Sequence, residues 1–412
     1  MTEKLHSLLF LSLFLVLLPH YQCTFSSESN GFSLKLSDYL QKSTRKFGKE
    51  ESITDHFPDV IRPWITRATF IFTIEASIGT PKSKKALIFD PGSQLTWTQC
   101  TPCINCFQQN YPLFDPKKSR SYKKLAQNHP FARFFRRANN GDLSFNASYG
   151  SGQSSTGIAS VETFSFPSHK RASESINGFV FGCGNNQQGY FINSVTGVMG
   201  MNRSPLSFIS QMNSTSAQKF SYCLPPINSP VKTTRLRFGQ DVKETGNLQQ
   251  TSFLNNIDYS YRVNLLDISI NGHRLNLPNG TFPRGCILDT GCAASRIEGR
   301  AYDEVLRVLM QYFSRYNLTR VAAGPNYQGE LCYVLRRGFR NFPNMIFHFQ
   351  GANFMINPEN LFHVMNDRFC LALFRDDKTI LGPYQQQNVR FIYDIGNQKL
   401  LFGREDCSQD SA

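Results

Sequence analysis

One pattern occurs twice in this sequence: an apolar run that ends in Asp, then any residue, then Gly. The first copy spans Ala86–Gly92 and carries Asp90, and the second spans Cys286–Gly291 and carries Asp289. A single Asp-x-Gly is usually only a turn, but an apolar run before it is typical of a buried strand, and the Gly allows a tight turn. The repetition therefore predicts a duplicated chain with two shielded carboxylates at strand ends.

Two carboxyl groups brought together in this way have a defined chemistry. At about 3 Å apart they share one proton, because like charges at that distance raise one pKa and leave the other low. The ionised group can take a proton from a water molecule while the protonated group donates to a carbonyl oxygen. The sequence thus predicts peptide hydrolysis without a metal, a cofactor or a covalent intermediate.

A second element is also repeated, which supports the duplication. Gly197–Gly200 follows the first Asp, and Ile380–Gly382 follows the second. Both are apolar segments that end in Gly, and such a Gly lets another backbone pass closely. We predict two lobes of ordinary domain size, an N-terminal lobe at 67–245 and a C-terminal lobe at 246–412.

The first residues read as an export signal. A basic start and an unbroken apolar run, Leu8–Leu18, are typical of a secretory signal, which we place at 1–25. The run is shorter than the ~20 residues of a membrane-spanning helix, so no integral membrane span is expected. Residues 26–66 are predicted to be a short pro-segment or lead-in. The expected location is secreted, in the extracellular space or apoplast, with the vacuole as an alternative.

The cysteines favour the same compartment. There are 11 Cys in 412 residues, which is unusual for a protein of a reducing compartment. Disulfides are favoured over zinc for the Cys-x2-Cys-x2-Cys run, because no second Cys pair or close His completes a metal site. The disulfide candidates are Cys100, Cys103, Cys106, Cys183, Cys223, Cys286, Cys332, Cys370 and Cys407.

Two surface features remain. Export would make glycosylation acceptors of the five Asn-x-Ser/Thr sequons at Asn146, Asn202, Asn213, Asn279 and Asn317. The formal net charge is +14, and a basic tract runs through 117–137. Because no nucleic-acid-binding motif accompanies this charge, we expect a solvated loop and no nucleic-acid partner.

The remaining pattern is that of an all-β protein with few short helices. The segment Arg262–Ile270 alternates over much of its length and then meets Asn271-Gly272, a strong hairpin signal. Apolar residues recur at helical spacing over Ala301–Tyr316, and a shorter helix is expected after Ser204.

Taken together, the motifs resemble the pepsin-like bilobal aspartic proteases, and among them the nepenthesin-type group of plants. The resemblance runs from about Phe70 to Cys407. It rests on the order of several short motifs: Asp90-Pro91-Gly92-Ser93, Leu95–Cys100 with Cys103 and Cys106, Tyr149–Gly152, Phe181–Gly184, Phe220–Leu224, Asp289-Thr290-Gly291, Ile380–Gly382 and Tyr384–Asn388.

The resemblance assigns expected roles. Asp90 and Asp289 match the catalytic aspartates, and Tyr149 matches the tyrosine of the hairpin, or flap, that closes over bound peptide. Trp97 matches the residue that anchors this tyrosine. Gly92, Ser93, Thr290 and Gly291 match the supporting loops, and Cys332 with Cys370 resembles the second-lobe disulfide.

Two residues depart from the family pattern. Pro91 stands where Thr or Ser is usual, and it removes both a hydroxyl and a backbone N–H. Cys292 stands where Ser, Thr or Ala is expected, so Asp289 would face a weaker donor.

The leading prediction is a secreted, monomeric aspartic endopeptidase that acts on extended peptides or proteins at acidic pH. The alternative is a catalytically weakened or inactive protein of the same fold that binds a partner or inhibits an enzyme.

Overall fold

The computed structural model describes residues 61–68, 71–168, 173–212, 218–255, 258–323 and 329–410. The predicted signal segment 1–25, most of the predicted lead-in 26–66 and the sequon at Asn213 lie outside these residues. The described chain is built mainly from strands, with three α-helices, α1 (Phe208–Gln211), α2 (Gly299–Ser314) and α3 (Pro358–Leu361), and four 3-10 helices at Pro116–Lys118, Ala132–Phe134, Gly239–Asp241 and Cys407–Gln409. The predicted all-β class is therefore confirmed.

Among the described residues, the strands up to residue 245 are β1 (Trp64–Ala68), β2 (Ile71–Ile78), β3 (Ser83–Asp90), β4 (Trp97–Gln99), β5 (Lys123–Lys124), β6 (Arg136–Arg137), β7 (Leu143–Ser148), β8 (Ser154–Phe166), β9 (Glu174–Gln188), β10 (Gly197–Gly200), β11 (Lys219–Cys223), β12 (Thr233–Arg235) and β13 (Arg237–Phe238).

The strands that follow are β14 (Gln249–Ser252), β15 (Arg262–Val263), β16 (Leu265–Ile270), β17 (His273–Arg274), β18 (Cys286–Leu288), β19 (Arg296–Glu298), β20 (Arg320–Val321), β21 (Cys332–Val334), β22 (Met345–Phe349), β23 (Ala352–Ile356), β24 (Phe362–Val364), β25 (Arg368–Leu371), β26 (Phe374–Asp376), β27 (Thr379–Leu381), β28 (Val389–Asp394) and β29 (Lys399–Arg404).

An eleven-stranded sheet carries the first Asp. Its order is β12-β1-β2-β3-β10-β4-β9-β8-β7-β6, and β5 pairs with β8. The repeated apolar segment β10 runs parallel to β3, with Gly200 opposite Asp90. A Cβ atom on Gly200 would lie 2.7 Å from the backbone of Gln94 and Leu95, so this position requires Gly. The first Asp is thereby fixed at the end of an interior strand.

The second Asp follows an equivalent strand pair. In the five-stranded sheet β15-β18-β27-β19-β26, β27 runs parallel to β18 with Leu381 opposite Leu288. Two four-stranded sheets, β17-β16-β22-β23 and β20-β21-β25-β24, complete this half. The duplication predicted from the two repeated elements is thus present in the strand pairing.

A fifth sheet joins the two halves. Its order is β13-β11-β28-β29-β14, so two strands of the first half and three of the second form one sheet, and the halves meet where β11 pairs with β28. Aromatic side chains from both halves pack on it, and the ring centroids of Phe220 and Tyr393 lie 4.4 Å apart. Because backbone hydrogen bonds and buried rings both cross here, the two halves share one continuous core.

Local sequence signals account for the elements that frame these sheets. Helix α2 buries Ala301, Val305, Leu309 and Phe313, which is the spacing of one helical face; it begins and ends two residues before the predicted bounds. The predicted hairpin is present at Asn271, with a positive φ of 49° there and 80° at Gly272, as its turn type requires.

The first described strand begins inside the segment predicted as a short pro-segment or lead-in, 26–66. Strand β1 pairs with β2 and with β12, Ile65 is fully buried, and Ile61 is 7% exposed. Removal of residues up to 66 would therefore expose apolar core and break a sheet ladder. Any segment removed on maturation is proposed to end before Ile61.

Four disulfides join eight of the nine candidate cysteines: Cys100–Cys183, Cys103–Cys106, Cys223–Cys407 and Cys332–Cys370. The ninth prediction was wrong, because Cys286 is a free, buried cysteine. Its side chain lies inside the interior strand β18, and burial raises the pKa of its thiol.

The folded chain buries the predicted glycosylation acceptor Asn202. Asn202 is fully buried, and its side-chain oxygen accepts a hydrogen bond from the backbone N–H of Ser204 at 2.8 Å. Asn146, Asn279 and Asn317 are exposed and stay predicted acceptors.

Candidate active site

Asp90 is held by two donors from its own loop. The carboxylate is fully buried. The backbone N–H of Gly92 donates to Oδ1 at 2.8 Å, and the hydroxyl of Ser93 donates to Oδ2. Hydrogen bonds to the charged form of a carboxylate favour that form. The loop therefore stabilises an ionised Asp90.

Asp289 has a poorer set of partners. It is fully buried, and the N–H of Gly291 donates to Oδ1 at 2.7 Å, whereas Oδ2 accepts no hydrogen bond in the described structure. Cys292 is disulfide-bonded, so it has no S–H to offer Asp289, and the weak thiol donor expected from the sequence is absent. Burial, reinforced by the charge of Asp90, raises the pKa of Asp289 well above its ordinary value. This loop favours a protonated Asp289.

The two loops touch each other. A Cβ atom added to Gly92 would lie 2.9 Å from both Cγ and Oδ2 of Asp289, so the backbone beside one carboxyl group packs directly on the other. The hydroxyl of Thr290 donates to the carbonyl oxygen of Phe89 at 2.6 Å. Pro91 holds the equivalent position in the other loop and has neither hydroxyl nor N–H to return this bond.

The predicted flap is the hairpin between β7 and β8. Its turn contains Tyr149, whose N–H donates to the carbonyl oxygen of Gln153 at 2.9 Å. The tyrosine is only 5% exposed, because its hydroxyl accepts a hydrogen bond from Trp97 Nε1. Burial raises the pKa of Tyr149, and the nearby charge of Asp90 adds to this shift. The flap tyrosine therefore lies beside the first carboxylate as a neutral phenol.

An aromatic support lies beneath the flap. Phe191 packs edge-on against Trp97 with the ring centroids 5.7 Å apart, and it stacks on Phe107 at 4.6 Å. Phe107 directly follows the Cys103–Cys106 disulfide. This cluster fixes the indole that orients Tyr149, and the sequence motifs gave no indication of Phe191 or Phe107.

The described part of the chain has no group of three or more His, Cys, Asp or Glu side chains arranged to hold a metal ion. Its helices include none that is long and apolar enough to cross a membrane.

Similarity to known proteins identifies the family. Over 386 residues the chain is 32% identical to the aspartic proteinase nepenthesin-1 of Nepenthes gracilis, and the match covers 89% of this chain and 85% of that protein. This chain belongs to the nepenthesin-type aspartic protease family. A second relative, nepenthesin-2 of the same plant, is 27% identical over 353 residues, which is 82% of this chain and 78% of that protein.

Two protein-family models also match this sequence. The model described as xylanase inhibitor N-terminal matches residues 72–240, and the one described as xylanase inhibitor C-terminal matches 260–404. Among solved structures, basic 7S globulin from soybean has a TM-score of 0.69 at 16% identity and covers 85% of this chain and 99% of that one. Conglutin gamma from lupine seeds has a TM-score of 0.67 at 17% identity, with 84% and 95% coverage. The chain thus has the bilobal fold of pepsin-like proteins.

In this member of the nepenthesin-type family, each half also has a hydroxyl group that binds the repeated Gly segment. The sequence analysis missed both of these hydroxyl groups. The hydroxyl of Thr96 accepts from the N–H of Gly200 at 3.2 Å, and that of Ser295 accepts from the N–H of Gly382 at 2.9 Å. Each lies at the same distance in sequence after its Asp. An alignment of the two halves on Asp90 and Asp289 would have found both.

Proposed function

We propose that this protein is a secreted aspartic endopeptidase in which Asp90 and Asp289 activate a water molecule between them. The observation that carries the proposal is the unequal environment of two buried carboxyl groups in touching loops. Asp90 accepts two hydrogen bonds, while Oδ2 of Asp289 accepts none. One base and one acid are therefore available side by side.

The roles follow from this inequality. Ionised Asp90 takes a proton from water as the water oxygen bonds to the peptide carbonyl carbon. Protonated Asp289 gives its proton to the carbonyl oxygen, which yields a gem-diol. Collapse breaks the C–N bond: Asp90 passes its proton to the leaving nitrogen, and Asp289 regains one from a gem-diol hydroxyl. No cofactor or covalent intermediate enters this sequence.

An acidic pH optimum is expected. Activity requires one ionised and one protonated carboxyl group, so the rate falls on the acid side as the ionised member is protonated. It falls on the alkaline side as the raised pKa of Asp289 is passed. The predicted profile is bell-shaped, and a rate that continued to increase above neutral pH would contradict it.

The proposed flap and its supports are consistent with an extended peptide as substrate. An extended peptide can lie between the flap and the two carboxyl groups and form backbone hydrogen bonds like an added strand. Tyr149, anchored by Trp97, would exclude water there. We propose a monomer that acts on extended peptides or proteins, with lobes divided near residue 245.

A second function is favoured by a specific residue. Pro91 leaves the Thr290 contact without its reciprocal bond, and the matching lobe models carry the description of xylanase inhibitors. The alternative is a protein of this fold that binds a partner with weakened or no catalysis. It would bind protein or peptide without cleaving it.

The test is cleavage of a denatured protein substrate by the purified, processed protein over about pH 2 to 7. Asp90→Asn and Asp289→Asn should each abolish acidic activity, and a pepstatin-type inhibitor should block the parent protein. Asp303→Asn, an exposed change on α2, serves as the control and should leave the rate unchanged. Absence of cleavage by folded parent protein would favour the binding protein instead.

A further inference from the structure

A second connection links the two lobes behind the carboxyl groups. Tyr261 lies just before β15 in the C-terminal half and is fully buried. Its hydroxyl donates to the carbonyl oxygen of Met201, directly after β10 in the N-terminal half, at 3.1 Å. The contact therefore crosses between the lobes.

The two residues of this contact, Met201 and Tyr261, also form backbone hydrogen bonds at or directly before a candidate catalytic Asp. The N–H of Met201 donates to the carbonyl oxygen of Asp90 at 2.9 Å, and the carbonyl oxygen of Tyr261 accepts from the N–H of Leu288 at 2.9 Å. Leu288 immediately precedes Asp289. Three hydrogen bonds thus connect the backbone of one Asp loop with that of the other.

Arg203, in the N-terminal half, donates further hydrogen bonds to the C-terminal half. Its N–H donates to the carbonyl oxygen of Tyr259 at 2.9 Å. Its guanidinium group donates to the carbonyl oxygens of Leu254 at 3.1 Å and Ser260 at 3.0 Å. Tyr259 has a positive φ of 58°, a conformation that costs a non-Gly residue free energy and persists only where its surroundings impose it.

We propose that Tyr261 and Arg203 form an interlobe tie that substitutes for the hydroxyl missing at Pro91 and fixes the spacing between Asp90 and Asp289. They are positioning residues and touch neither substrate nor the reacting atoms. The tie crosses the interface in both directions, as a reciprocal pair of hydroxyl contacts would. Its kinetic consequence rests on the proposed protease activity, whereas its hydrogen bonds can be tested without it.

Tyr261→Phe removes only the donor to Met201. Tyr302→Phe is the matched control, because Tyr302 is also fully buried and its hydroxyl donates to a carbonyl oxygen, that of Leu373, within one lobe at 3.3 Å. Loss of one hydrogen bond to a buried partner corresponds to about tenfold in an equilibrium constant. Both variants should thus be destabilised similarly, but only Tyr261→Phe should lower kcat, by about tenfold, with KM little changed.

Restoring a hydroxyl at position 91 tests directly whether the interlobe tie replaces the missing one. Pro91→Thr in the Tyr261→Phe background should recover most of the lost kcat, because the new hydroxyl can bond across to the other loop as Thr290 does. The same change in the Tyr302→Phe background should recover nothing. Arg203→Lys, which keeps the charge but loses the paired donors, should behave like Tyr261→Phe. If kcat of Tyr261→Phe equals that of Tyr302→Phe, or if Pro91→Thr rescues neither, the proposal is overturned.

Hydrogen exchange separates this proposal from the proposed function. In Tyr261→Phe the amides of Met201 and Leu288 should exchange about tenfold faster relative to amides far from the interface, such as those of β8 and β9. In Tyr302→Phe they should change only as much as those remote amides do. A parent protein without protease activity, but with this exchange difference, would reject the protease and keep the tie. Equal exchange in the two variants would reject the tie whether or not the protein is active.

Discussion

The two Asp loops share one backbone design but differ in the donors around their carboxyl groups. The loop of Asp90 offers a backbone N–H and the hydroxyl of Ser93. The loop of Asp289 offers the N–H of Gly291 to one oxygen and leaves the other without a partner in the described structure. Fold symmetry therefore does not impose chemical symmetry, and the unequal donors support the proposed roles of Asp90 as the charged group and Asp289 as the protonated one.

The loops also differ in how they contact one another. Thr290 donates to the carbonyl oxygen of Phe89, but Pro91 cannot donate in return. The Tyr261 and Arg203 contacts lie on the same interface. The proposed tie therefore connects the lobes close to the place where Pro91 removes a contact.

Among the changes that test how the two Asp loops contact each other, Gly92→Ala is expected to have the largest effect on kcat. The new Cβ atom would lie 2.9 Å from Cγ of Asp289, so the two carboxyl groups must separate. A displacement of about 1 Å can cost a hundredfold or more in rate, and we expect kcat to fall by at least that much. Gly396→Ala is the control, because the nearest atom to its new Cβ would be the flexible Oε1 end of Gln218, at 3.3 Å. Near-normal kcat in Gly92→Ala would show that the loops are further apart than described.

How much of this site the sequence predicts depends on whether a feature is local. The Asp loops, the flap hairpin and helix α2 each have a signal within a few neighbouring residues, namely an apolar run, a Gly turn or a helical spacing. Their places were therefore predictable from the chain alone. The pairing of β3 with β10 was accessible only because the same apolar segment recurs in the second half.

Features that depend on distant packing were not predictable. Tyr261 and Met201 are 60 residues apart, and nothing in either neighbourhood marks the contact. Cys286 was predicted as a disulfide candidate with the other cysteines, but it is free and buried in the core. The sequon at Asn202 is chemically complete, yet its position after the interior strand β10 buries it. Pairing and burial were the missing information in each case.

A second prediction concerns stability against pH. The folded-state pKa of Asp289 is raised by burial and by the charge of Asp90, so the folded state binds more protons than the unfolded state above the ordinary Asp value near about 3.9. Stability must then decrease as the pH rises from about 4 through the folded-state pKa. Asp289→Asn cannot titrate and should remove this part of the decrease.

Unfolding by denaturant or heat at several pH values measures this effect. Asp90→Asn is the informative comparison, because it removes the charged neighbour but leaves Asp289 buried, so its pH dependence should decrease only in part. If the two variants flatten the stability profile equally, the two loops are electrostatically equivalent and the assigned inequality is wrong. Other carboxyl groups also titrate, so the decisive quantity is the difference between the parent and Asp289→Asn. A difference that does not decrease from about pH 4 to 7 would contradict the raised pKa itself.

The smallest effect is expected from the loss of a single hydrogen-bond donor that distinguishes the Asp90 loop from the Asp289 loop. Ser93→Ala removes the hydroxyl bond to the ionised Asp90, which has no counterpart on Asp289. A hydrogen bond to a charged group contributes about 1.5–3 kcal/mol, and part of it persists in the transition state, so we expect about a tenfold loss in kcat. The acid limb of the rate profile should also move to higher pH, because the charged form is less well stabilised.

Ser221→Ala is the matched control for this change. Ser221 is fully buried, and its hydroxyl has no hydrogen-bond partner in the described structure, so the substitution removes a hydroxyl of similar burial without removing a bond. It should leave the acid limb where it is in the parent. If Ser93→Ala also leaves the acid limb in place, the charge does not reside on Asp90, and the roles of the two aspartates must be exchanged. The position of that limb therefore reports which carboxyl group is the base, independently of how far the overall rate declines.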